Sequence, residues 1–217
     1  MTQPAPARGA PPPSSFTYSE SLAPWATTTA QQWLEQHPDT IVKLNGICAN
    51  VAVFDPEGCI LLVQRAAHDT MPNTWEIPGG AADKGDESIL HGAAREVWEE
   101  TGLVVTRFTG QIREGKAPMG GYVFGFVKGD ASRFYCRYSF VAEVESCAAV
   151  TLDPKEHQDY VWANAQDIKS KKVGDRELAF DSNYQMRWLV GRALKINAKV
   201  ADNTALKPGE KSGQGTD

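Results

Sequence analysis

Three glutamates near the end of one predicted helix restrict this chain more than any other feature. Ser88 is a typical helix N-cap and Gly102 a typical left-handed C-terminal cap, with no proline and a single glycine between them. This pattern predicts a helix over residues 89–101. Three carboxylates then lie within about 100° of arc beside its apolar face. They belong to Glu96, Glu99 and Glu100.

This placement of the acids is unfavourable in two ways. Carboxylates three and four residues apart on a helix repel each other, and acids in the last turns face the negative end of the helix dipole. A bound cation would offset both effects, and grouped oxygen ligands suit a hard divalent ion such as Mg²⁺ or Mn²⁺. The alternative is a solvated acidic helix face. The cap, the preceding glycine loop and the third glutamate favour the metal site.

The residues around this helix form a longer motif. The sequence reads REVWEETGL at residues 95–103, with Glu87 seven residues before Arg95 and Gly80 earlier still. It resembles the Nudix box, the loop–helix–loop signature of the Nudix hydrolases. That box is Gly, five residues, Glu, seven residues, then Arg-Glu-aliphatic-any-Glu-Glu-any-Gly-aliphatic. Six residues, not five, separate Gly80 from Glu87. We interpret this as a one-residue loop insertion with Glu87 as the counterpart of the first glutamate; Asp86 would restore the loop count but change the spacing to Arg95.

The resemblance extends over about residues 45–195 and implies an α/β fold, the Nudix fold, with a mixed β-sheet sandwiched between α-helices. In that family the box helix binds one to three divalent ions, here Mg²⁺ or Mn²⁺. A metal-activated water then attacks one phosphorus of a diphosphate that is linked to another group. The implied activity is therefore that of a diphosphatase, or pyrophosphohydrolase.

The resemblance also assigns candidate site residues. The implied metal ligands are the main-chain carbonyl of Gly80 and the side chains of Glu96, Glu99, Glu100 and Glu156. The general base would be Glu96 or else Glu156. Arg95 would pair with Glu87 and fix the carboxylates without facing the substrate. Glu156 enters because Nudix proteins often carry one further glutamate in a loop at this place. Asp159 is the second choice there, and a plain surface acid is the alternative for Glu156.

Four further residues are candidates for substrate binding, each with a structural alternative. Arg65 ends a predicted strand and would contact an anionic substrate, or form a surface ion pair. Trp75 would be a stacking wall, or part of the core. Arg113 and Lys116 lie in a glycine-containing loop and would reach a phosphate, or form an exposed turn. On a predicted strand over residues 134–144, neighbouring Arg137 and Tyr138 point to opposite faces, and the sequence does not say which faces the pocket.

Composition narrows the class of partner. The net charge of −5 provides no basic field for nucleic acid, so we expect a small-molecule diphosphate to be brought in by the metal. The four cysteines show no zinc-ligand spacing and are expected to be reduced thiols. There is no apolar run of 18 residues and no signal-peptide segment at the N-terminus, so we expect no membrane association and a cytoplasmic protein. A nuclear location would leave no clear trace in this sequence.

We expect one domain over residues 16–197, between a disordered N-terminal tail at 1–15 and a disordered tail at 198–217. The domain includes an N-terminal helical extension at residues 27–36. Two apolar strands around an Asp-Pro-Glu-Gly turn predict a hairpin. The predicted strands are 46–54, 59–64, 74–77, 104–111, 122–127 and 134–144, one more follows the loop that holds Glu156, and a closing helix spans 181–195.

Two classes of function follow. The first is a metal-dependent diphosphatase acting on a nucleoside diphosphate derivative or another organic diphosphate. The N-terminal extension and the WEIPGG segment look like those of Nudix proteins from filamentous fungi, which brings in isoprenoid diphosphates and diphosphoinositols. The second is a Nudix-fold protein without hydrolytic activity, either a ligand-binding module or a participant in a non-hydrolytic biosynthetic step. Its sequence support is the inserted loop residue. A homodimer is a further expectation, because dimers are frequent in the family.

Overall fold

A computed structural model describes residues 15–38, 40, 42–128, 131–181 and 185–205 of the 217-residue chain. The predicted N-terminal tail, except for residue 15, lies outside these residues. So does the last part of the predicted C-terminal tail.

The described residues form eleven strands and five α-helices. The strands are β1 (Thr17–Tyr18), β2 (Gly46–Val53), β3 (Ile60–Arg65), β4 (Trp75–Glu76), β5 (Gly79–Ala81), β6 (Val105–Ile112), β7 (Tyr122–Lys128), β8 (Ala131–Val144), β9 (His157–Ala163), β10 (Lys172–Val173) and β11 (Arg176–Glu177). The helices are α1 (Ala23–Ala26), α2 (Ala30–Gln36), α3 (Ile89–Thr101), α4 (Ala165–Ser170) and α5 (Met186–Ala205). The helix predicted over residues 89–101 is confirmed as α3.

The main sheet is mixed and has the order β1-β6-β8-β2-β5, with β7 also paired to β8. The long strand β8 runs parallel to β2 and antiparallel to β6 and β7, as expected for a central strand. A second sheet, all antiparallel, has the order β4-β3-β9. The predicted α/β fold with a mixed sheet and covering helices is therefore confirmed, and the described residues add a small second sheet.

The predicted hairpin of β2 and β3 is wrong in its pairing. The turn between them forms, and Phe54 bridges Ile60, but the two strands then enter different sheets. Both strands are largely buried, as their uniformly apolar sequences predict. Their divergence is a tertiary effect, because β2 is held between β5 and β8 and β3 between β4 and β9.

Two apolar cores cover the sheets. One joins α3 and the N-terminal helices to the main sheet and contains Trp25, Trp33 and Tyr138. The other joins α5 to both sheets and contains Trp75 and Leu189. Every described helix therefore lies on a sheet through an apolar face, which gives the site a rigid support.

The N-terminal extension packs onto the domain instead of standing apart. Strand β1 adds to the edge strand β6 in parallel, and α2 begins with a capping box between Thr29 and Gln32. The main-chain oxygen of Thr28 accepts a hydrogen bond of 3.0 Å from the N–H of Ile89, the first residue of α3. The extension therefore holds the start of the helix that carries the three glutamates.

The C-terminal boundary requires a correction. Helix α5 begins at Met186 and continues to Ala205, past the predicted tail boundary at residue 198. Residues 198–205 contain neither proline nor glycine, so nothing in them ends the helix. Helix α4 and the β10–β11 hairpin were not predicted. Within the described residues, no helix has the length and apolar character needed to cross a membrane.

Candidate active site

Helix α3 begins and ends as its sequence predicts. The Ser88 hydroxyl accepts a hydrogen bond of 3.3 Å from the N–H of His91, which satisfies one of the free donors at the helix start. Gly102 has φ of 72°, the left-handed conformation that glycine adopts without steric cost. The apolar side of the helix is buried against β2 and β5. These contacts fix the polar side of the helix relative to the loop that precedes it.

Two glycines allow β5, the strand that leads into this loop, to pass close to its neighbours. Gly79 has φ of 146°, and a Cβ atom there would lie 2.3 Å from the main-chain oxygen of Ala49. A Cβ atom on Gly80 would lie 2.6 Å from Oε2 of Glu96. Larger residues would therefore push β5 away from β2 and from the Glu96 carboxylate. This explains why β5 begins with two consecutive glycines.

The three glutamates of α3 do not share one environment. Glu100 is 4% exposed, and its Oε2 accepts a hydrogen bond of 2.8 Å from the N–H of Gly79. The side chain of Glu96 is 13% exposed, whereas that of Glu99 is 43% exposed. A purely solvated acidic face is therefore excluded for Glu96 and Glu100.

Arg95 connects two of these glutamates to the loop. Its Nη1 donates to Glu96 Oε1 at 2.9 Å and to Glu99 Oε2 at 2.7 Å. Its Nε and Nη2 donate to the two carboxylate oxygens of Asp86, at 3.0 and 3.1 Å. We call Arg95, Asp86, Glu96 and Glu99 the arginine cluster. One guanidinium is shared by three carboxylates, which offsets much of their mutual repulsion.

The predicted pairing of Arg95 with Glu87 is wrong. The Glu87 side chain is 84% exposed and its carboxylate lies 3.5 Å from Nε2 of His91. Asp86 takes the place expected for Glu87, with a side chain that is 10% exposed. The reason lies in the loop, where the carboxylate of Asp86 also accepts from the N–H of Asp83 at 2.7 Å and closes a tight turn. The extra residue is therefore accommodated between Asp86 and the helix and not between Gly80 and the acid.

A second group of acids lies on the Gly79 side of α3. Ligand atoms of Glu100, Glu156 and His157 lie within 4.8 Å of one another. Nε2 of His157 is also 3.4 Å from Oε1 of Glu76. We call Glu76, Glu100, Glu156 and His157 the histidine cluster. Glu156, which we predicted to join the site, is thus brought to Glu100 from a distant loop; Asp159, the second choice, instead pairs with Arg176 at 2.6 Å.

Burial makes the charged state of two glutamates unfavourable. Burial raises the pKa of Glu96 to about 7, and the neighbouring Arg95 guanidinium only partly opposes this shift. Burial also raises the pKa of Glu100 well above its usual range, and the charges of Glu76 and Glu96 add to the shift. A bound divalent cation would favour the ionised form of both. With the carboxylates of Glu96 and Glu100 gathered beside Gly80 and Gly79 of β5, the residues fit the hard ion that the sequence predicts.

A cavity of about 400 Å³ opens beside the clusters. Gly79, Gly80 and Glu76 line its end near α3, and aromatic rings of β7 and β8 line another part. The rings of Phe124 and Tyr135 stack with centroids 6.0 Å apart. The cavity is large enough for the non-phosphate half of a small substrate.

Of the four predicted substrate contacts, Arg65 and Trp75 line this cavity. Arg65 donates to Glu76 at 2.7 Å and pairs with Asp69, so the ion-pair alternative holds, although the pair is partly buried. Trp75 is fully buried, and its indole N–H donates to the main-chain oxygen of Glu177 at 3.0 Å, so the core alternative holds as well.

The other two predicted contacts are placed elsewhere. Neither Arg113 nor Lys116 is among the described residues that line this cavity. Both are exposed, as the turn alternative predicts. Lys116 lines a different cavity, between its own loop and Phe134. The loop is tied back to itself, with the N–H of Glu114 donating to the main-chain oxygen of Gly120 at 2.9 Å.

The question of Arg137 and Tyr138 is settled by the register of β8. Arg137 lines the cavity, and Tyr138 is buried in the core on the opposite face. The guanidinium of Arg137 is held by Glu114, with Nε 3.0 Å from Oε2, and Ser139 donates to the other oxygen of that carboxylate at 2.5 Å. No motif or spacing marks Glu114, because its partners Arg137 and Ser139 are 23 and 25 residues away along the chain.

The chain is similar in sequence to known proteins. A family model described as NUDIX domain matches residues 44–182 of the chain. A MutT-like protein of Streptomyces ambofaciens is 40% identical over 66 residues, which are 30% of this chain and 40% of that protein. An RNA pyrophosphohydrolase of Bartonella quintana is 35% identical over 85 residues, which are 35% of this chain and 49% of that protein. The match to these two relatives spans about half of their length or less.

A longer match reaches a CTP pyrophosphohydrolase of Escherichia coli, which is 28% identical over 117 residues, or 54% of this chain and 74% of that protein. Among solved structures, a MutT protein of Methanosarcina mazei is similar at a TM-score of 0.49 and 25% identity, covering 70% of this chain and 94% of that one.

Proposed function

The chain belongs to the NUDIX family, and from this premise we propose that it hydrolyses a diphosphate linkage in a small molecule with the help of Mg²⁺ or Mn²⁺. The observation that carries the proposal is the position of Glu100. Its carboxylate is buried beside Glu156, Glu76 and Glu96 and accepts one hydrogen bond from the Gly79 N–H. Such an arrangement is costly unless a cation binds there.

We assign the metal ligands by the family pattern and by proximity. They are the carbonyl of Gly80 and the carboxylates of Glu96, Glu99, Glu100 and Glu156. When bound, the ion would lower the pKa of a water molecule and offset charge on the phosphoryl oxygens. Arg95 holds Glu96 and Glu99, and Asp86 holds Arg95, so both act by positioning. Glu96 or Glu156 takes the proton from the attacking water, and the exposed Glu156 can reach it without breaking a described ion pair.

The cavity favours a substrate whose second half carries a ring. The stacked rings of Phe124 and Tyr135 offer an apolar surface, and the guanidinium of Arg137, which is paired with Glu114, lies 6.0 Å from the centre of the Phe124 ring. The base of a nucleoside diphosphate derivative suits this surface. Two of the relatives are named RNA pyrophosphohydrolase and CTP pyrophosphohydrolase, and these names point to the same class. Isoprenoid diphosphates and diphosphoinositols lack the planar ring.

The non-hydrolytic alternative is weakened. Its sequence support was the inserted residue, which was expected to disturb the box. Both carboxylate oxygens of Asp86 accept hydrogen bonds from Arg95, so the inserted residue leaves the ion pair between the loop and α3 intact. The three glutamates that the motif requires on the helix are all present.

The test is to incubate the full chain and Mg²⁺ or Mn²⁺ with a panel of candidate substrates. The panel contains nucleoside diphosphate derivatives, an isoprenyl diphosphate and a diphosphoinositol. Release of phosphate or of a monophosphate product is followed by chromatography. We expect turnover that is abolished by EDTA and strongest with the nucleotides. Glu143→Gln, at an exposed position on β8, is the matched control for glutamate variants of the site. Absence of turnover with every compound, from protein that binds the metal, would favour the ligand-binding alternative.

A homodimer stays a prediction of the family resemblance. Light scattering coupled to size-exclusion chromatography of the full chain measures it directly: a mass of twice 23.7 kDa would support it and a mass of 23.7 kDa would refute it.

A further inference from the structure

His157 occupies a position that its sequence did not mark. It is the first residue of β9, directly after Glu156, and it is 1% exposed. A nitrogen of its imidazole lies within 4.8 Å of a carboxylate oxygen from Glu100 and from Glu156. A buried histidine in a core is normally hydrogen-bonded on its nitrogens. This one lies instead among acids.

The hydrogen bonds of this ring are incomplete. Nε2 has a long contact of 3.4 Å to Glu76, and Nδ1 has no hydrogen-bond partner within the described chain. In the neutral ring one nitrogen donates and the other accepts, and in the imidazolium both donate. Neither state gives Nδ1 a partner. A buried polar atom without a partner is unfavourable, and a bound ligand can offset this cost.

The charges around the imidazole ring indicate which class of ligand would bind there. Three carboxylates approach the ring, and the Arg65 guanidinium contacts only Glu76 among them. An anion is therefore excluded by charge, and an apolar group would leave the carboxylates unpaired. A cation satisfies the carboxylates, and a cation that accepts nitrogen ligands satisfies the imidazole as well.

We propose that His157 is a nitrogen ligand in the cation site formed with Glu100 and Glu156, so that this protein prefers Mn²⁺ or a similar transition ion to Mg²⁺. The inference rests on the proposed function for the presence of the site and goes beyond it in the ligand set. Mg²⁺ prefers oxygen ligands and binds imidazole poorly, whereas Mn²⁺, Co²⁺ and Zn²⁺ accept it. Loss of the imidazole should therefore reduce the affinity for Mn²⁺ more than that for Mg²⁺.

The experiment is pulsed electron paramagnetic resonance of the full chain loaded with Mn²⁺ alone. We expect nuclear modulation from a coordinated ¹⁴N that changes to the ¹⁵N pattern when only the histidines are labelled with ¹⁵N. This readout needs no substitution and no substrate. His157→Gln should abolish the nitrogen modulation and weaken Mn²⁺ binding by about 10-fold or more in calorimetry.

His68→Gln is the matched control. Nε2 of His68 is 3.0 Å from the main-chain oxygen of Lys155, so it touches the loop of Glu156 but is exposed and outside the histidine cluster. It should keep the nitrogen modulation and the parent affinity. If it loses both as His157→Gln does, loop disorder explains the loss and the proposal is overturned.

Two further outcomes separate this inference from the proposed function. If Mn²⁺ binds and diphosphates are hydrolysed but no histidine nitrogen is coupled to the ion, His157 is not a ligand and the proposed function stands. If neither Mn²⁺ nor Mg²⁺ binds, both fail. A Mn²⁺ affinity that falls no more than the Mg²⁺ affinity in His157→Gln also contradicts the stated preference.

Discussion

The two acidic clusters at the end of α3 contain similar residues but are balanced in opposite ways. In the arginine cluster, one guanidinium contacts Asp86, Glu96 and Glu99. In the histidine cluster, Arg65 contacts Glu76 and no described arginine or lysine forms an ion pair with Glu100 or Glu156. The negative charges of the arginine cluster are therefore offset within the protein. Those of the histidine cluster would be offset by an added cation.

The difference shows why adjacent glutamates on one helix can have different roles. Glu99 and Glu100 are neighbours in sequence, yet the helix directs their side chains about 100° apart. One reaches Arg95 and partly faces solvent, and the other is buried. We therefore expect substitutions of Arg95 and Asp86 to act mainly on stability, and substitutions in the histidine cluster to act mainly on metal binding and turnover.

Glu100→Gln should give the largest effect. The amide keeps an oxygen for the Gly79 N–H but loses the charge that holds the cation, so we expect turnover to fall by about 10³-fold, or about 4 kcal/mol at the barrier. The free energy of unfolding without metal should stay the same or rise, because an uncompensated buried charge is removed. Steady-state rates and urea unfolding in EDTA measure the two quantities. Retention of the parent rate would show that this cluster is not the metal site.

Arg95→Met should reverse that pattern. Without the guanidinium, the carboxylates of Asp86, Glu96 and Glu99 repel each other in a partly buried place, and we expect a loss of about 3 kcal/mol in the free energy of unfolding. Arg107→Met on the exposed side of β6 is the matched control, with an expected change within about 0.5 kcal/mol. Denaturant unfolding without metal is the measurement. If Arg95→Met is no less stable than this control, the arginine cluster does not support the fold.

The pH dependence of stability tests the two buried glutamates, one from each cluster. The folded state raises the pKa of Glu96 to about 7 and that of Glu100 above its usual range, so metal-free protein keeps protons that the unfolded chain releases above about 4.5. Stability should therefore fall as pH rises from about 4.5 to 7, by on the order of 2 kcal/mol. Saturating Mn²⁺ should remove this decrease. A metal-free protein whose melting temperature is constant or rises over that range would contradict the assignment.

How much of this the sequence predicts depends on the distance between the interacting residues. The limits of α3 follow from local rules, since Ser88 and Gly102 act on the helix they flank. The buried strands β2 and β3 follow from their apolar composition. Their separation into two sheets does not, because it is decided by β8 and β9, which lie far along the chain.

The site divides in the same way. The three glutamates of α3 lie within one sequence motif, so the motif identifies them as candidate site residues. His157 and Glu76 come together only because β3 pairs with β4 on one edge and with β9 on the other. Glu114 reaches Arg137 of β8 from the loop between β6 and β7. No spacing in the sequence records these contacts. Arg113 and Lys116 show the converse, since a basic loop suggested substrate binding that the direction of the loop does not support.

The pairing of Arg95 gives the smallest and most specific test. The motif spacing predicts Glu87 as the partner of Arg95, whereas in the structure Arg95 pairs with Asp86. Asp86→Asn removes the charge facing the guanidinium and should cost about 1–2 kcal/mol of stability, with a several-fold loss of turnover through Glu96 and Glu99. Glu87→Gln, its sequence neighbour, should change the free energy of unfolding by less than about 0.5 kcal/mol. Urea unfolding of the two variants side by side decides between the residues. If Glu87→Gln were the more damaging, the loop insertion would lie between Gly80 and Asp86, and Arg95 would use the counterpart that the motif predicts.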